Sequence, residues 1–120
     1  MGSRRILVIE DDPALAAMYE CALADAGFDV EIAGDGLMGI EDIDEAHPDL
    51  VVLDLHLPHI DGETILREVA SSPETSHIPV IVVTGRDSGT VPAGTALLHK
   101  PCDPLELVAT VEQWFQKAAA

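Results

Sequence analysis

The sequence predicts an α/β protein in which helices cover both faces of a five-stranded parallel sheet. Four short apolar runs rich in β-branched residues are typical of strands buried on both faces, and helical patterns separate most of them. A fifth segment alternates polar and apolar residues, as a half-exposed edge strand does. Alternation of strands and helices favours a parallel sheet with right-handed crossovers. With the alternating segment at an edge, the doubly wound strand order 2-1-3-4-5 fits best.

The strands are predicted where the apolar runs and the alternating segment lie. In chain order they are residues 6–9, 29–33, 50–53, 80–83 and 96–98. The second of these is the alternating segment, and it belongs at the edge of the sheet.

Helical patterns occupy three connections and the C-terminal segment. The first helix is predicted from Pro13, behind the N-cap residue Asp12, and Gly27 closes it. A weaker pattern covers Leu37 to Ala46, where Gly39 lowers the helix propensity. The other two helices are predicted at residues 63–70 and, behind an Asp103-Pro104 start, across the apolar positions 107, 108, 111, 114 and 115.

The connection between the fourth and fifth strands is predicted to be a loop. Residues 85–95 contain three glycines and Pro92, and Val91 is their only large apolar side chain. Glycine and proline lower helix propensity, and no apolar stripe is present to compensate. We therefore expect at most one turn of helix there.

Length and composition indicate a single domain that spans residues 1–120. Residues 1–3 are typical of a cloning remnant, and residues 118–120 are expected to fray.

Six basic and 22 acidic residues give a formal net charge of −16, which argues against direct nucleic-acid binding because phosphates need clustered Lys and Arg. No apolar run approaches the ~20 residues of a membrane span. Two cysteines fit the reducing cytoplasm.

Polar residues follow the strands at the edge where open parallel sheets bind ligands. They are Glu10-Asp11-Asp12 after the first strand, Asp54 after the third, Thr84 after the fourth and Lys100-Pro101 after the fifth. Crowded carboxylates repel one another unless a cation intervenes, and oxygen ligands favour Mg²⁺, with Mn²⁺ as the alternative ion. A carboxylate nucleophile beside a metal, an ammonium and a hydroxyl suits phosphoryl transfer.

These motifs resemble those of the receiver domains of two-component response regulators, whose archetype is the single-domain chemotaxis regulator. The resemblance extends from Arg5 to about Lys117, and its strength lies in four motifs that follow predicted strands in this order. They are Ile6-Leu7-Val8-Ile9-Glu10-Asp11-Asp12-Pro13, Leu53-Asp54-Leu55-His56-Leu57-Pro58 with Asp61-Gly62, Val83-Thr84-Gly85, and Lys100-Pro101. The resemblance implies a flavodoxin-like, CheY-like fold.

The resemblance also implies a phosphoryl acceptor beside a metal site. Asp54 takes the position of the phosphoacceptor in receivers. Glu10 and Asp11 take the positions of the acidic pair, which would hold Mg²⁺ together with Asp54, and Asp11 would be the direct ligand. His56 lies where a backbone carbonyl completes the coordination of the metal, so its imidazole is not required as a ligand.

Further residues are implied to bind the phosphoryl group and to switch with it. Lys100 would form an ion pair with that group, and Thr84 would donate a hydrogen bond to it as the switch residue. Pro101 would hold the Lys100 loop through a cis peptide bond, and Gly85 fits the small residue beside the phosphate. Arg86 would flank the path of the hydrolytic water.

Two features depart from the receiver pattern. Receivers usually carry a fourth helix between the switch threonine and the lysine, and this sequence predicts a loop. The position three residues before Lys100 is often aromatic in receivers, and here it is Leu97. Both departures concern output rather than phosphorylation.

We therefore expect a receiver domain that takes a phosphoryl group from a sensor histidine kinase or a histidine phosphotransfer protein and then changes its binding to an unknown downstream protein. The expected role is signalling and not enzymatic turnover, apart from assistance to its own phosphorylation and dephosphorylation. One alternative is a receiver-like interaction module that works without phosphorylation. Another is an aspartyl phosphohydrolase or a flavodoxin-like cofactor binder. His56 stands where an Asp-x-Asp phosphatase has its second Asp, and no Gly-rich phosphate loop follows the first strand.

Overall fold

Five parallel strands form one sheet in the computed structural model, which describes residues 3–85 and 96–119. The strands are β1 (Arg5–Ile9), β2 (Asp29–Ala33), β3 (Leu50–Asp54), β4 (Val80–Thr84) and β5 (Ala96–His99). Their order in the sheet is β2-β1-β3-β4-β5, and every neighbouring pair is parallel. The predicted fold class, strand order and edge position of β2 are confirmed.

Four helices in the described ranges cover the two faces of the sheet. They are α1 (Pro13–Asp25), α2 (Gly36–Ala46), α3 (Gly62–Ser71) and α4 (Pro104–Ala119). The α1 and α4 helices pack on one face, and α2 and α3 pack on the other.

Side chains of the central strands supply both halves of the core. In β1, Ile6 and Val8 face α1 and α4, whereas Leu7 and Ile9 face α2 and α3. Each of these four side chains is at most 2% exposed. Burial on both faces explains why the strands appear in the sequence as continuous apolar runs.

Gly39 has a packing role that explains the weak helical pattern of α2. A Cβ atom at this position would lie 2.6 Å from Ile9 Cδ1, so a larger residue would require the Ile9 side chain to shift. The residue that lowers helix propensity therefore also lets α2 pack closely on β1.

Two predictions concern the C-terminal tail and the connection between β4 and β5. The α4 helix continues through Ala118 to Ala119, into the tail that is predicted to fray. Alanine has the highest helix propensity, which favours this extension. The predicted loop at residues 85–95, which replaces the fourth helix of typical receivers, lies outside the described residues except for Gly85. Within the described ranges, none of the helices has the length and apolar character needed to span a membrane.

Candidate functional site

Glu10, Asp54 and Lys100 meet at the carboxyl edge of the sheet. Glu10 follows β1, Asp54 is the last residue of β3, and Lys100 follows β5. The Lys100 Nζ atom lies 3.1 Å from Glu10 Oε1 and 3.2 Å from Asp54 Oδ2. Three separate strands thus bring one ammonium between two carboxylates, as expected where parallel strands end together.

The two carboxylates of this ion-pair cluster are buried, and burial shifts the pKa values of the cluster. Glu10 is 3% exposed and Asp54 is 4% exposed, whereas the Lys100 side chain keeps 27% of its surface exposed. Burial raises the pKa of the Glu10 carboxyl, and the nearby Asp54 charge raises it further, although Lys100 and the Asp12 N–H oppose the shift. Burial alone would lower the pKa of Lys100, but its hydrogen bond to Glu10 and the charges of both carboxylates outweigh that effect and raise it.

Backbone groups hold Glu10 in place from two sides. Its own N–H donates to the Ala33 carbonyl at the end of β2, at 3.1 Å. The Asp12 N–H donates to Glu10 Oε2 at 3.2 Å, while the Asp12 side chain caps α1 by accepting from the Ala14 and Leu15 N–H groups. The sequence interpretation assigned Asp12 only the capping role. The donor is a backbone N–H, which every residue except proline supplies, so the residue type at position 12 gives no signal of this support.

The β3–α3 connection positions Asp54. The His56 N–H donates to Asp54 Oδ1 at 2.9 Å, so one carboxylate oxygen is held by backbone and the other faces Lys100. Gly62 donates its N–H to the Leu55 carbonyl at 3.1 Å. A Cβ on Gly62 would lie 2.6 Å from Leu55 Cα, so the helix start can approach the strand end only with glycine at this position.

Three carboxylates form a cluster that could hold a metal ion. One oxygen from each of Glu10, Asp11 and Asp54 lies within 4.8 Å of the others, and this is the only such group that the described part of the chain contains. Asp11 is exposed, so the cluster is open to solvent on its side. Three carboxylates beside one ammonium leave an excess of negative charge, and a donor set made only of oxygen suits Mg²⁺.

Three other predicted site residues, Thr84, Gly85 and Pro101, lie beside Lys100. Thr84 ends β4, is fully buried, and its carbonyl accepts the Lys100 N–H at 2.8 Å. Gly85 lies beside Lys100, because a Cβ there would be 3.8 Å from Lys100 Cβ. The Lys100-Pro101 peptide bond is cis, as the resemblance implies.

Three further predicted residues are not expected to place a side chain in the cluster. The His56 side chain is exposed, in keeping with a predicted role for its backbone carbonyl alone, and Leu97, predicted to act in output, packs against the core under α2 and α3. Arg86 lies outside the described residues.

Comparison with known proteins decides the family. The family model of the response regulator receiver domain matches residues 6–112, which is most of the chain. The chain belongs to the response regulator receiver domain family. Members of this family are phosphoacceptor switches of two-component signalling, and they bind Mg²⁺ through acidic residues. The predicted family and its general function are therefore confirmed.

Two curated relatives of this receiver domain are regulators whose names include DNA binding. It is 38% identical over 117 residues to the DNA-binding dual master transcriptional regulator RpaA of Synechocystis, a match covering 89% of the chain and 47% of RpaA. It is 36% identical over 114 residues to the DNA-binding response regulator MtrA of Mycolicibacterium smegmatis, covering 90% of the chain and 49% of MtrA. The chain thus spans about half the length of the curated relatives that it matches.

Solved structures show the same fold. A CheY-like response regulator receiver domain protein from Methanospirillum hungatei superimposes with a TM-score of 0.89 at 26% identity, covering 97% of this chain and 96% of that one. The receiver domain of a DNA-binding response regulator from Colwellia psychrerythraea superimposes with a TM-score of 0.81 at 27% identity, covering 95% and 99%.

The prediction that excluded direct nucleic-acid binding is wrong, because RpaA and MtrA are both named DNA-binding proteins. That prediction rested on the net charge of these 120 residues. The matched part is less than half of each relative, so its charge does not determine what the remaining residues of those proteins bind.

Proposed function

We propose that this receiver domain accepts a phosphoryl group on Asp54 from a phosphohistidine of a sensor kinase or a phosphotransfer protein. The observation that carries this proposal is the position of Lys100 Nζ, which lies 3.2 Å from Asp54 Oδ2 at the end of the sheet. The carboxylate is the nucleophile, and the ammonium stands where negative charge on the transferred group would develop.

In the proposed step, an Asp54 carboxylate oxygen attacks the phosphorus and forms the new O–P bond while the N–P bond to the donor histidine breaks. The other ring nitrogen of the phosphoimidazole is already protonated before the transfer. The imidazole nitrogen keeps the electron pair of the broken bond, and the ring therefore leaves as a neutral imidazole. Lys100 then neutralises charge on the phosphoryl oxygens, for which its ammonium is already partly buried and held by carboxylates.

Glu10, Asp11 and Asp54 would hold Mg²⁺, with the His56 carbonyl as a further ligand and Mn²⁺ as the alternative ion. When bound, the ion supplies positive charge beside the acceptor carboxylate and the phosphoryl oxygens. The donor set supports this proposal because its carboxylates outnumber the single ammonium that pairs with them.

The switch is proposed to start at Thr84, whose hydroxyl would donate to the phosphoryl group. Gly85 leaves room beside Lys100, and cis Pro101 shapes the loop that carries it. Leu97 and Arg86 are proposed to take part in output. We propose that residues 1–120 act as one cytoplasmic signalling domain whose binding to a downstream protein changes on phosphorylation, without turnover of another substrate.

Mass spectrometry after incubation with acetyl phosphate and Mg²⁺ tests the proposal. The wild type should acquire one phosphoryl adduct, and Asp54→Asn should acquire none. Asp25→Asn, which removes an exposed carboxylate at the end of α1, is the matched control and should label like the wild type. Labelling of Asp54→Asn at the wild-type level would place the adduct on another residue and overturn the assignment to Asp54. No labelling of the wild type would favour the interaction module that works without phosphorylation.

A further inference from the structure

A cavity of about 210 Å³ lies between α2, α3 and the segment that follows α3. It is at the C-terminal end of α3, whereas the phosphoacceptor cluster is at the N-terminal end of that helix. A helix of 10 residues is about 15 Å long, so the cavity is remote from Asp54 and independent of the proposed function.

The cavity has an apolar floor and an acidic rim. Ile40 and Ile43 of α2 and Val69 of α3 form the floor, and the rim carries the carboxylates of Asp44 and Glu68. Both of these carboxylates are exposed, and neither forms an ion pair with any residue in the described ranges.

The hydroxyl groups of the cavity already have partners. Thr75 donates to the Val69 carbonyl at 2.8 Å, Ser71 donates to the Glu68 carbonyl at 3.0 Å, and Ser72 donates to Glu74. These groups therefore stabilise the wall, and the two carboxylates are the polar groups left to bind an occupant.

The surroundings of the cavity add further negative charge. Neither α2 nor α3 has a basic residue in its own last turn. The end of α2 is partly compensated by Arg5, whose guanidinium donates to the Ala46 carbonyl at 3.4 Å, and the end of α3 keeps its partial negative charge. The second half of α2 carries four acidic residues, Glu41, Asp42, Asp44 and Glu45. A neutral apolar occupant would desolvate the rim carboxylates without compensation.

We propose that this cavity binds a lysine or arginine side chain from a basic segment of a partner protein. The aliphatic stem of the side chain lies on Ile40, Ile43 and Val69, and its charged end lies between Asp44 and Glu68. Such side chains cover apolar surface with their stems while the charged end stays at the rim. The proposal therefore assigns a second interaction surface, on the face opposite α1 and α4.

The test is a titration, followed by amide chemical shifts, with an N-acetylated, C-amidated pentapeptide that carries one central arginine between Gly and Ser. Shifts are expected at residues 40–44 and 68–75. Replacing the arginine by citrulline, its neutral analogue, should weaken binding at least about tenfold. The double variant Asp44→Asn/Glu68→Gln should raise the dissociation constant of the arginine peptide about tenfold, which corresponds to about 1.4 kcal/mol.

The matched control is Asp25→Asn/Glu112→Gln, which removes two exposed carboxylates from the helices on the opposite face. Those charges lie beyond a Debye length of about 8 Å from the cavity at physiological salt, so the dissociation constant should change less than about twofold. Equal losses in both double variants, equal binding of the citrulline peptide, or shifts confined to other surfaces would overturn the proposal. Self-association of the wild type through residues 40–44 and 68–75, measured by sedimentation, would also overturn it, because the occupant would then be a second copy.

Discussion

Lys100 is the residue on which the electrostatics of the proposed phosphorylation site depend. Its ammonium lies within 3.2 Å of carboxylate oxygens of Glu10 and Asp54, which are both nearly fully buried. These two carboxylates would repel each other in a poorly solvated site without it. If Asp54 is phosphorylated as proposed, the phosphoryl group would compete for the same ammonium, and Lys100 would then link the stability of the site to its phosphorylation state.

Replacing Lys100 with Met should lower the free energy of unfolding by about 1–3 kcal/mol in Mg²⁺-free buffer, because two buried carboxylates lose their hydrogen-bonded cation. Mg²⁺ should restore more stability to this variant than it adds to the wild type, because it would replace the missing positive charge. Urea unfolding with and without Mg²⁺ measures both effects. The matched control is Lys117→Met, at an exposed position near the end of α4. Equal losses in the two variants would contradict a special role for Lys100.

Tyr19 carries a buried polar group that helical periodicity could not reveal. The sequence places it on the apolar face of α1, and its side chain is indeed packed in the core at 1% exposure. Its hydroxyl has no hydrogen-bond partner among the described residues. Burial raises the pKa of this phenol to about 12, because the charged form is poorly solvated there.

Tyr19→Phe should flatten the alkaline stability profile. Between pH 10 and pH 12 the unfolded chain releases the Tyr19 proton and the folded protein keeps it, so wild-type stability falls as pH rises, by up to about 2.7 kcal/mol. The phenylalanine variant lacks this decline, and at pH 7 it should be at least as stable because no unpaired hydroxyl is buried. Lys100 loses its contribution over the alkaline range in both proteins, so the difference between the two urea-unfolding profiles isolates Tyr19. Parallel profiles would refute the prediction.

At the scale of elements, the sequence predicts the strands and helices, because these depend on the local pattern of apolar and polar residues. All five strands begin and end within one residue of their predicted bounds, because buried parallel strands leave continuous apolar runs and the edge strand β2 leaves an alternating one. The order of strands also brings Glu10, Asp54 and Lys100 to one edge. Contacts between elements are not predictable in this way. The approach of Gly39 to Ile9, for example, depends on how α2 packs on β1, which one sequence does not encode locally.

Gly62 is the element-scale constraint with the most direct link to the site. Gly62→Ala should lower stability by about 1–3 kcal/mol and slow the labelling of Asp54, because the added methyl would lie 2.6 Å from Leu55 Cα and 2.9 Å from the Asp54 carbonyl oxygen. The matched control is Gly34→Ala, where nothing lies within 4 Å of the added methyl. Thermal unfolding and the rate of labelling by acetyl phosphate should separate the two variants. A Gly62→Ala protein that labels and unfolds like Gly34→Ala would show that the connection adapts without affecting Asp54.

At the scale of the whole molecule, a net charge of −16 sets the background for any cation effect. Repulsion among surface carboxylates destabilises the compact state, and any salt relieves it by screening. A stabilising effect of Mg²⁺ therefore indicates a site only if it exceeds the effect of a monovalent salt at the same ionic strength.

Mg²⁺ should raise the melting temperature more than NaCl does at matched ionic strength. Glu10, Asp11 and Asp54 converge only in the folded protein, so binding there stabilises that state by mass action. At about 100 times the dissociation constant the gain is about 2.7 kcal/mol, a shift of several degrees.

Asp11→Asn distinguishes binding at the site from general screening, because Asp11 is the exposed member of the carboxylate cluster and its replacement leaves the core intact. In this variant the extra stabilisation by Mg²⁺ over NaCl should largely disappear, while the response to NaCl remains. Asp25→Asn changes the net charge equally at an exposed position on α1 and should keep the full Mg²⁺ effect. Scanning calorimetry of the three proteins gives the comparison. If the Mg²⁺ effect survives in Asp11→Asn, or if NaCl reproduces it in the wild type, the stabilisation comes from the charge of the whole surface and not from the cluster.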